Sequence, residues 1–159
     1  MSTDMTVQCA NGIINVRVGA IIMQNGKVLM VSNKRSDYFY SVGGRIQFGE
    51  TAEQAIVREV MEETGVKMDI DRLGFIHENY FYGDAPTNFG KLIYEISFFF
   101  YMKVPKDFTL TCNSFTEDGS EEHLAWVSLD DERKMFPTFF KTELNNPKNY
   151  VQHVITDER

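Results

Sequence analysis

The spacing of hydrophobic positions in the first third of the chain predicts a β-hairpin. Residues 15–23 and 27–32 are rich in β-branched and apolar side chains, and a Gln-Asn-Gly turn separates them. Asn25 and Gly26 suit the positive φ angles of a type I′ turn, which joins antiparallel strands. Similar patterns, with a high aromatic content, predict three further strands at residues 73–82, 92–104 and 123–128.

Two segments carry the hydrophobic spacing of helices. The clearer helix is predicted at Ala52–Thr64, where Thr51 and Gln54 can form a capping box and Gly65 suits the left-handed position after the last turn. A second helix is predicted at residues 146–156, with Pro147 in its first turn. Its buried stripe would consist of Val151, Val154 and Ile155.

The order of these elements indicates an α/β protein. Strands that surround one helix and precede another favour a mixed β-sheet with helices on both faces. With 159 residues, 43% hydrophobic and 25% charged, the composition predicts one globular domain spanning residues 1–159.

Composition also narrows the classes of partner. The net charge is −7, and no window gathers enough Lys and Arg to bind a nucleic acid polymer. The longest apolar run, residues 96–102, is too short to span a membrane. The N-terminus lacks signal-peptide features, so we expect a cytoplasmic protein. Cys9 and Cys112 lie outside any CxxC spacing and predict neither a disulfide scaffold nor a zinc site.

Carboxylates continue the apolar face of the first predicted helix. At about 100° per residue, Glu59 and Glu63 follow Ile56 on the side that should turn inward, and Glu62 lies at its edge. Like charges that are partly buried together need compensation, and a divalent cation supplies it. Oxygen ligands favour Mg²⁺ or Mn²⁺ over zinc. The alternative is that these glutamates only solvate the end of a surface helix.

The residues upstream argue against that alternative. Gly44 is followed after five residues by Glu50, and after seven more by Arg-Glu-Val-Met-Glu-Glu-Thr-Gly-Val at 58–66. From average residue usage, a chain of this length would contain the full pattern by chance in fewer than about one case in a million. Residues 44–66 resemble the Nudix box at every defining position, and the chain resembles a Nudix hydrolase.

This resemblance implies a fold and an activity. The implied fold is an α/β/α sandwich around a mixed β-sheet. The implied activity is Mg²⁺-dependent hydrolysis, with Mn²⁺ as a substitute, of a diphosphate linkage in a small nucleotide. A nucleotide sugar, a dinucleoside polyphosphate and a (deoxy)nucleoside triphosphate all fit this description. Family members are often dimers, so a homodimer is also an expectation.

The resemblance assigns roles to residues of the box. Glu59 and Glu63 would be the principal metal ligands, Glu62 a further ligand, and a carbonyl of Gly43 or Gly44 would complete the site. Arg58 would orient the box glutamates, with support from Glu50. The general base in the family is a glutamate inside or outside the box. Its two candidates here are Glu59 and Glu121, with Glu117 close enough in sequence to compete with Glu121.

Four residues outside the helix are candidates for substrate binding. Arg35 and Arg45 flank the loop that would face the phosphates, where a guanidinium suits bidentate contact. Phe39 occupies a position where relatives often have an aromatic residue. Tyr82 lies 16 residues after the box, a spacing that the family associates with dinucleoside polyphosphates. The alternatives are surface charge for the arginines and strand core for the aromatic residues.

A second class of function is a non-catalytic nucleotide-binding or regulatory module with the same fold. Such modules usually have a damaged box, whereas every carboxylate of this one is present. An isoprenoid diphosphate isomerase has a related fold but needs a suitably placed catalytic cysteine. Neither Cys9 nor Cys112 is suitably placed in the sequence for that role.

Overall fold

The structure is a computed structural model that describes residues 3–34, 36–110, 114–115 and 121–159, with backbone only at 114, 115 and 121. These residues form eleven strands and two helices. The elements are β1 (Thr6–Cys9), β2 (Gly12–Ile21), β3 (Met23–Gln24), β4 (Lys27–Asn33), β5 (Phe39–Arg45), α1 (Ala52–Thr64), β6 (Asp69–Tyr82), β7 (Leu92–Lys103), β8 (Ser114–Phe115), β9 (Glu121–Ser128), β10 (Met135–Phe136), α2 (Phe140–Glu143) and β11 (Gln152–Asp157).

The sheet is mixed, as predicted. Its main strand order is β11-β6-β7-β2-β5-β4-β9-β8. The pairs β2–β7, β6–β11 and β5–β10 are parallel, and the other pairs are antiparallel. Strand β5 pairs with β2 through its second half and with β4 through Tyr40 and Ser41. The chain that leads into α1 therefore lies at the junction of two parts of the sheet.

The helices lie on opposite faces of the sheet, which confirms the sandwich. On one face, Ala55, Ile56 and Val60 of α1 are buried in a cluster with Ala20 of β2. On the other face, Phe140 of α2 is buried in a cluster that includes the next residue of β2, Ile21. Because successive strand residues point to opposite faces, the two clusters are separate layers. Neither helix of the described segments is long and apolar enough to cross a bilayer.

The predicted capping of α1 is confirmed. The Thr51 side chain accepts a hydrogen bond from the Gln54 N–H, the Gln54 side chain accepts one from the Thr51 N–H, and Gly65 has a φ of 74°. The hairpin turn is also confirmed, because Asn25 and Gly26 have φ angles of 53° and 74°. The turn joins only the short β3 to β4, whereas β2 pairs with β5 and β7 instead of β4. The capping and the turn depend on neighbouring residues only.

The prediction of a helix at residues 146–156 is wrong. This region forms β11, which pairs in parallel with Phe75 to Tyr80 of β6. Its burial alternates with a period of two, so that Val154 faces the core and Ile155 is 65% exposed. The β-branched content of the segment favours a strand once β6 offers hydrogen-bonding partners. The strand β5 and the short elements β1, β10 and α2 were absent from the prediction.

Candidate metal and nucleotide site

Paired glycines bring β5 into direct contact with the glutamates of α1. Gly43 pairs with Gly19 of β2, has a φ of 153°, and leaves no room for a Cβ atom beside the Val18 carbonyl oxygen. A Cβ atom on Gly44 would overlap the carboxylate of Glu59. The absence of two side chains therefore creates the space that the carboxylates of α1 occupy.

Glu63 is buried against this glycine pair. Its Oε2 accepts a hydrogen bond of 3.0 Å from the Gly43 N–H. The pKa of Glu63 is raised to about 8, mainly by burial and also by the negative charges of Glu59 and Glu122, while the Gly43 N–H and Arg17 act in the opposite direction. The carboxylate is thus poorly stabilised as an anion by the protein alone.

Glu59 occupies the same space with a side chain that is 14% exposed. Burial raises its pKa, while a 2.8 Å hydrogen bond from Arg58 Nη1 opposes that shift. Glu62 is different, since its side chain is 57% exposed and its Oε2 lies 3.3 Å from Arg58 Nη1. The three predicted ligands therefore comprise two half-buried or buried carboxylates and one at the surface.

Arg58 ties the helix to the loop that precedes it. Its Nε and Nη2 donate to the two oxygens of Glu50 at 2.5 and 3.0 Å, and Nη2 also donates to the Arg45 carbonyl oxygen at 3.1 Å. The Gln47 N–H donates to Glu50 as well. The hydrogen bonds from Arg58 are the main reason that the pKa of Glu50 is lowered. This bidentate pair fixes the guanidinium that contacts Glu59.

The residues around the glycine pair fit a hard divalent cation. Glu59 and Glu63 offer oxygen ligands, lie one helical turn apart and have raised pKa values in the metal-free protein. Because Gly44 has no side chain, the Glu59 carboxylate can lie directly against the backbone of β5. In the described part of the chain, no three His, Cys, Asp or Glu residues already converge as a ligand set, so Glu62 would have to turn inward to join the pair.

A cleft of about 940 Å³ opens beside Gly43. Its floor is the sheet face that carries Arg17, Ser97 and His77, and its walls include several aromatic side chains. His77 is buried, which lowers its pKa to about 4, and its Nε2 is 2.9 Å from the Thr156 hydroxyl. Other side chains that line the cleft include Tyr38, Tyr40, Phe81, Tyr82, Arg133, Lys134 and Phe136.

A carboxylate outside the box also approaches the site. Tyr40 Oη donates a 2.9 Å hydrogen bond to Glu122 Oε1, and Asn33 Nδ2 lies 3.5 Å from the same hydroxyl. Glu122 lies close enough to Glu63 to raise its pKa, and burial raises the pKa of Tyr40. Of the candidates for the base outside the box, Glu117 and the Glu121 side chain lie outside the described residues.

Of the two arginines predicted to bind phosphate, the structure describes only Arg45. Arg35 lies outside the described residues. Arg45 Nη1 lies 3.6 Å from Asp4 Oδ2, and the Arg45 carbonyl oxygen accepts the bond from Arg58. Its side chain is not among those lining the cleft. In the described structure, the Arg45 side chain therefore lies towards Asp4 and away from the cleft.

The two predicted aromatic contacts also differ. Phe39 is 4% exposed and belongs to a core cluster, with the Arg133 guanidinium 4.3 Å from its ring centre. Tyr82 is 56% exposed and lines the cleft. Of the two, only Tyr82 is in a position to contact a ligand in this conformation.

The polar floor of the cleft and Glu122 are functional features that the sequence motifs do not indicate. Arg17, His77 and Glu95 each lie within a predicted strand whose other residues are mostly apolar. A charged or polar side chain at a position that should face the core was the available signal. Without knowledge of the strand order, this signal did not show that the three residues share one face.

Comparison with known proteins defines the class. The NUDIX domain profile matches residues 14–145, and the chain belongs to the NUDIX family. A putative 8-oxo-dGTP diphosphatase of Bacillus subtilis is 30% identical over 140 residues, which cover 84% of this chain and 79% of that protein. An ADP-ribose pyrophosphatase of Methanocaldococcus jannaschii is 41% identical over 54 residues, which cover 32% of either protein.

Some of these matches are local, whereas the fold is shared more widely. This chain spans 40% or less of the length of the archaeal pyrophosphatase and of a MutT-like protein of Streptomyces ambofaciens. The crystal structure of a MutT protein from Bacillus halodurans has a TM-score of 0.64 at 18% identity, and the match covers 87% of this chain and 89% of that one. This likeness supports the α/β/α fold.

Proposed function

We propose that this protein is a metal-dependent pyrophosphohydrolase that cleaves a diphosphate linkage in a small nucleoside diphosphate derivative. The observation that carries the proposal is the burial of Glu59 and Glu63 against the Gly43-Gly44 pair, of which Gly43 also lines a cleft of about 940 Å³. A cleft of this volume is in the range that accommodates small ligands. The cleft lies next to two desolvated carboxylates, so a nucleotide in the cleft would have its diphosphate close to a cation held by these carboxylates.

Glu59 and Glu63 would hold the cation, Mg²⁺ or Mn²⁺, with Glu62 and a carbonyl of Gly43 or Gly44 as further ligands. A bound divalent cation would supply charge neutralisation at the diphosphate oxygens and a water molecule of lowered pKa. Arg58 acts through Glu59. Its bidentate pair with Glu50 fixes the guanidinium, whose Nη1 then fixes the Glu59 carboxylate at 2.8 Å.

The proton of the attacking water requires an acceptor. Glu59 and Glu121 are candidates from the family resemblance, and the structure adds Glu122, which Tyr40 holds near Glu63. Glutamine variants of the three residues separate them. The true base is the one whose loss removes the acidic limb of the pH–rate profile when each variant is measured at a saturating metal concentration.

Charge and aromatic rings in the cleft suit the rest of the nucleotide. Arg17 is near enough to Glu59 and Glu63 to lower the pKa of both, so it can meet a phosphate beside the metal. Arg133 and Lys134 add positive charge farther along the wall. Tyr38, Tyr82 and Phe136 offer ring faces for a base. Arg35 stays in the proposal as a phosphate contact from its place next to this loop.

A substrate panel tests the proposal. The protein is incubated with Mg²⁺ and ADP-ribose, other nucleotide sugars, dinucleoside polyphosphates and (deoxy)nucleoside triphosphates, and phosphate-bearing products are separated by ion exchange. We expect turnover of at least one class, its loss with EDTA, and a loss of at least about 100-fold in Glu63→Gln. Glu53→Gln, an exposed residue in the first turn of the same helix, is the matched control and keeps full activity.

Two results count against the proposal. If no class of substrate is turned over although metal binds, the reaction is wrong. If nucleotides raise the melting temperature without product formation, the protein is a non-catalytic nucleotide-binding module instead.

A further inference from the structure

A row of polar side chains crosses five strands of the sheet. In register, Thr6 pairs with Asn15, Asn15 with Glu95, Glu95 with Asn79, and Asn79 with Thr156. Residues paired directly across strands project from the same face of a sheet. These five residues, the polar row, therefore share one face, on β1, β2, β7, β6 and β11.

The part of the polar row on β7, β6 and β11 forms part of the cleft floor. Glu95, Asn79 and Thr156 line the cleft, as do Arg17 and His77 in the neighbouring row of the same face. An inward sheet face normally carries apolar side chains. Polar residues at so many inward positions imply that this face meets a polar ligand.

Glu95 is held in place through one of its two oxygens. Thr6 Oγ1 donates to Asn15 Oδ1 at 2.9 Å, and Asn15 Nδ2 donates to Glu95 Oε2 at 3.1 Å. Arg17 Nε lies 3.9 Å from the same Oε2. Among the residues that the structure describes, both contacts of this carboxylate thus go to Oε2, and the side chain is 18% exposed. Its Oε1 is left to accept hydrogen bonds from a ligand.

On the side of Glu95 away from Arg17, the floor offers hydrogen-bond acceptors rather than cations. Asn79, directly opposite Glu95 on β6, has a buried Oδ1 without a hydrogen-bond partner in the described structure. His77 is neutral at physiological pH, and its Nε2 is engaged by the Thr156 hydroxyl. A buried polar atom without a partner is unfavourable. Because Asn79 lines the cleft, a rotation of its amide would bring Oδ1 to a donor group of a ligand. The matching ligand group carries neighbouring O–H or N–H donors and no negative charge.

The position of the polar row relative to the proposed metal site indicates which part of the ligand carries these donors. Arg17 on β2 marks the phosphate end of the floor because it is close to Glu59 and Glu63. Glu95 and Asn79 lie on the next two strands, about 5 and 10 Å farther across the sheet. In a nucleotide, the sugar lies at this distance from the diphosphate, and the base lies beyond it.

We propose that Glu95 is a specificity-determining residue that accepts hydrogen bonds from the vicinal hydroxyls of a ribose attached to the diphosphate, with Asn79 as a second acceptor. The enzyme then selects ribonucleotides over 2′-deoxyribonucleotides. This inference rests on the proposed function, since it assumes that the diphosphate lies beside Glu59 and Glu63. It also separates the two substrate types named for the relatives, of which ADP-ribose has vicinal hydroxyls and 8-oxo-dGTP does not.

Binding of matched nucleoside diphosphates tests the inference independently of turnover. Dissociation constants are measured by calorimetry, and melting temperatures by thermal shift, with ADP, 2′-deoxy-ADP, GDP and IDP in the presence of Mg²⁺. We expect the wild-type protein to bind ADP at least about tenfold more tightly than 2′-deoxy-ADP, as for a hydrogen bond to a charged group. The GDP and IDP pair differs only in an amino group of the base and should show no such preference.

Variants assign the preference to the row. Glu95→Gln should reduce the ratio of the ADP and 2′-deoxy-ADP dissociation constants to within about threefold, mainly by weakening ADP binding. Asn79→Ala should give an intermediate ratio, and it decides the question if Glu95→Gln fails to fold. Glu132→Gln, at an exposed carboxylate elsewhere in the cleft wall, is the matched control and keeps the wild-type ratio.

Three outcomes overturn the inference. They are equal affinity of the wild-type protein for ADP and 2′-deoxy-ADP, an unchanged preference in folded Glu95→Gln, and a preference that follows the amino group of GDP instead of the sugar. The failure of the proposed function is a different result. It would appear as an absence of hydrolysis of every substrate in the panel, whatever the binding preferences.

Discussion

The metal site and the cleft floor are built in opposite ways. In the metal site, Glu50 and Arg58 are eight residues apart and Gly43 and Glu63 are 20 apart. On the cleft floor, hydrogen bonds join Asn15 to Glu95 and His77 to Thr156, which are 80 and 79 residues apart. The proposed metal ligands thus lie in one contiguous segment, while the surface that would select the substrate depends on the register of the whole sheet.

Burial favours the neutral form of a titratable group in each region, but the consequence differs between the two regions. Burial raises the pKa of Glu63 to about 8 and lowers that of His77 to about 4, which favours the neutral form of each. His77 can remain neutral in its role as a hydrogen-bonding group. Glu63 must ionise to bind a metal, so its site is favourable only when a cation arrives. Changes in the metal site should therefore affect all substrates alike, and changes in the floor should affect them selectively.

Among variants that test this difference between the two regions, the largest effect is expected from Arg58→Leu. The substitution leaves the carboxylates of Glu50 and Glu59 without their main partner. We expect a loss of about 2–3 kcal/mol in the free energy of unfolding and about 100-fold in kcat/KM on every substrate. Denaturant unfolding and kinetics with two unrelated nucleotides measure both. An effect confined to one substrate would contradict the assignment of Arg58 to the metal site.

Gly44→Ala should separate activity from stability. The new methyl group overlaps the Glu59 carboxylate, which lies at the end of a flexible side chain and can move away. We expect kcat/KM to fall about 10- to 100-fold on all substrates, with a change in unfolding free energy below about 1 kcal/mol. Full activity in this variant would show that the observed position of Glu59 is not the active one.

The raised pKa of Glu63 predicts a pH-dependent stability in the metal-free protein. The stabilising contribution of this group is fully present below its unfolded pKa of 4.5 and is lost as pH rises towards the folded pKa of about 8. Glu63→Gln should be about as stable as wild type at pH 4 and more stable at pH 8, by about 1–4 kcal/mol. Urea unfolding in EDTA at both values checks this difference, which addition of Mg²⁺ should reduce. A constant difference across this range would contradict the burial effect.

A smaller effect than these three is expected from Tyr40→Phe. Loss of the hydroxyl removes the 2.9 Å hydrogen bond to Glu122 and leaves the box unchanged. We expect a decrease of about three- to tenfold in kcat, with little change in metal affinity. Asn33→Ala, which removes the longer contact at 3.5 Å, should have a smaller effect. If Tyr40→Phe lowers metal affinity and kcat to the same extent, the tyrosine acts on the metal site instead.

The parts of the fold that could be predicted are those that depend on local interactions. The bounds of α1 and its capping residues Thr51 and Gln54 agree with the sequence pattern because a cap and a helix face are set within a few residues. The segment that forms β11 was wrongly predicted as a helix because its apolar spacing suits either a helix or a strand. Its pairing with β6, some 75 residues away, decided the outcome.

The residues of the candidate site also differ in whether local sequence could predict them. Glu59 and Glu63 could be proposed as ligands from their spacing, since positions i and i+4 of a helix share one face. Arg17 and Glu95 could not be placed together, because their proximity depends on the parallel pairing of β2 with β7. Phe39 and Tyr82 were equivalent as strand aromatics, and only the structure shows that one is buried and the other exposed.

Titration of the metal-free protein with Mn²⁺ tests the central claim most directly, namely that the carboxylates of Glu59 and Glu63 hold a divalent cation. Calorimetry at pH 7 should show saturable binding with proton release, because Glu63 has a pKa of about 8 without metal. Glu59→Gln and Glu63→Gln should each weaken binding at least about tenfold, while Glu53→Gln binds as wild type does. Equal Mn²⁺ affinity in all four proteins would contradict the claim.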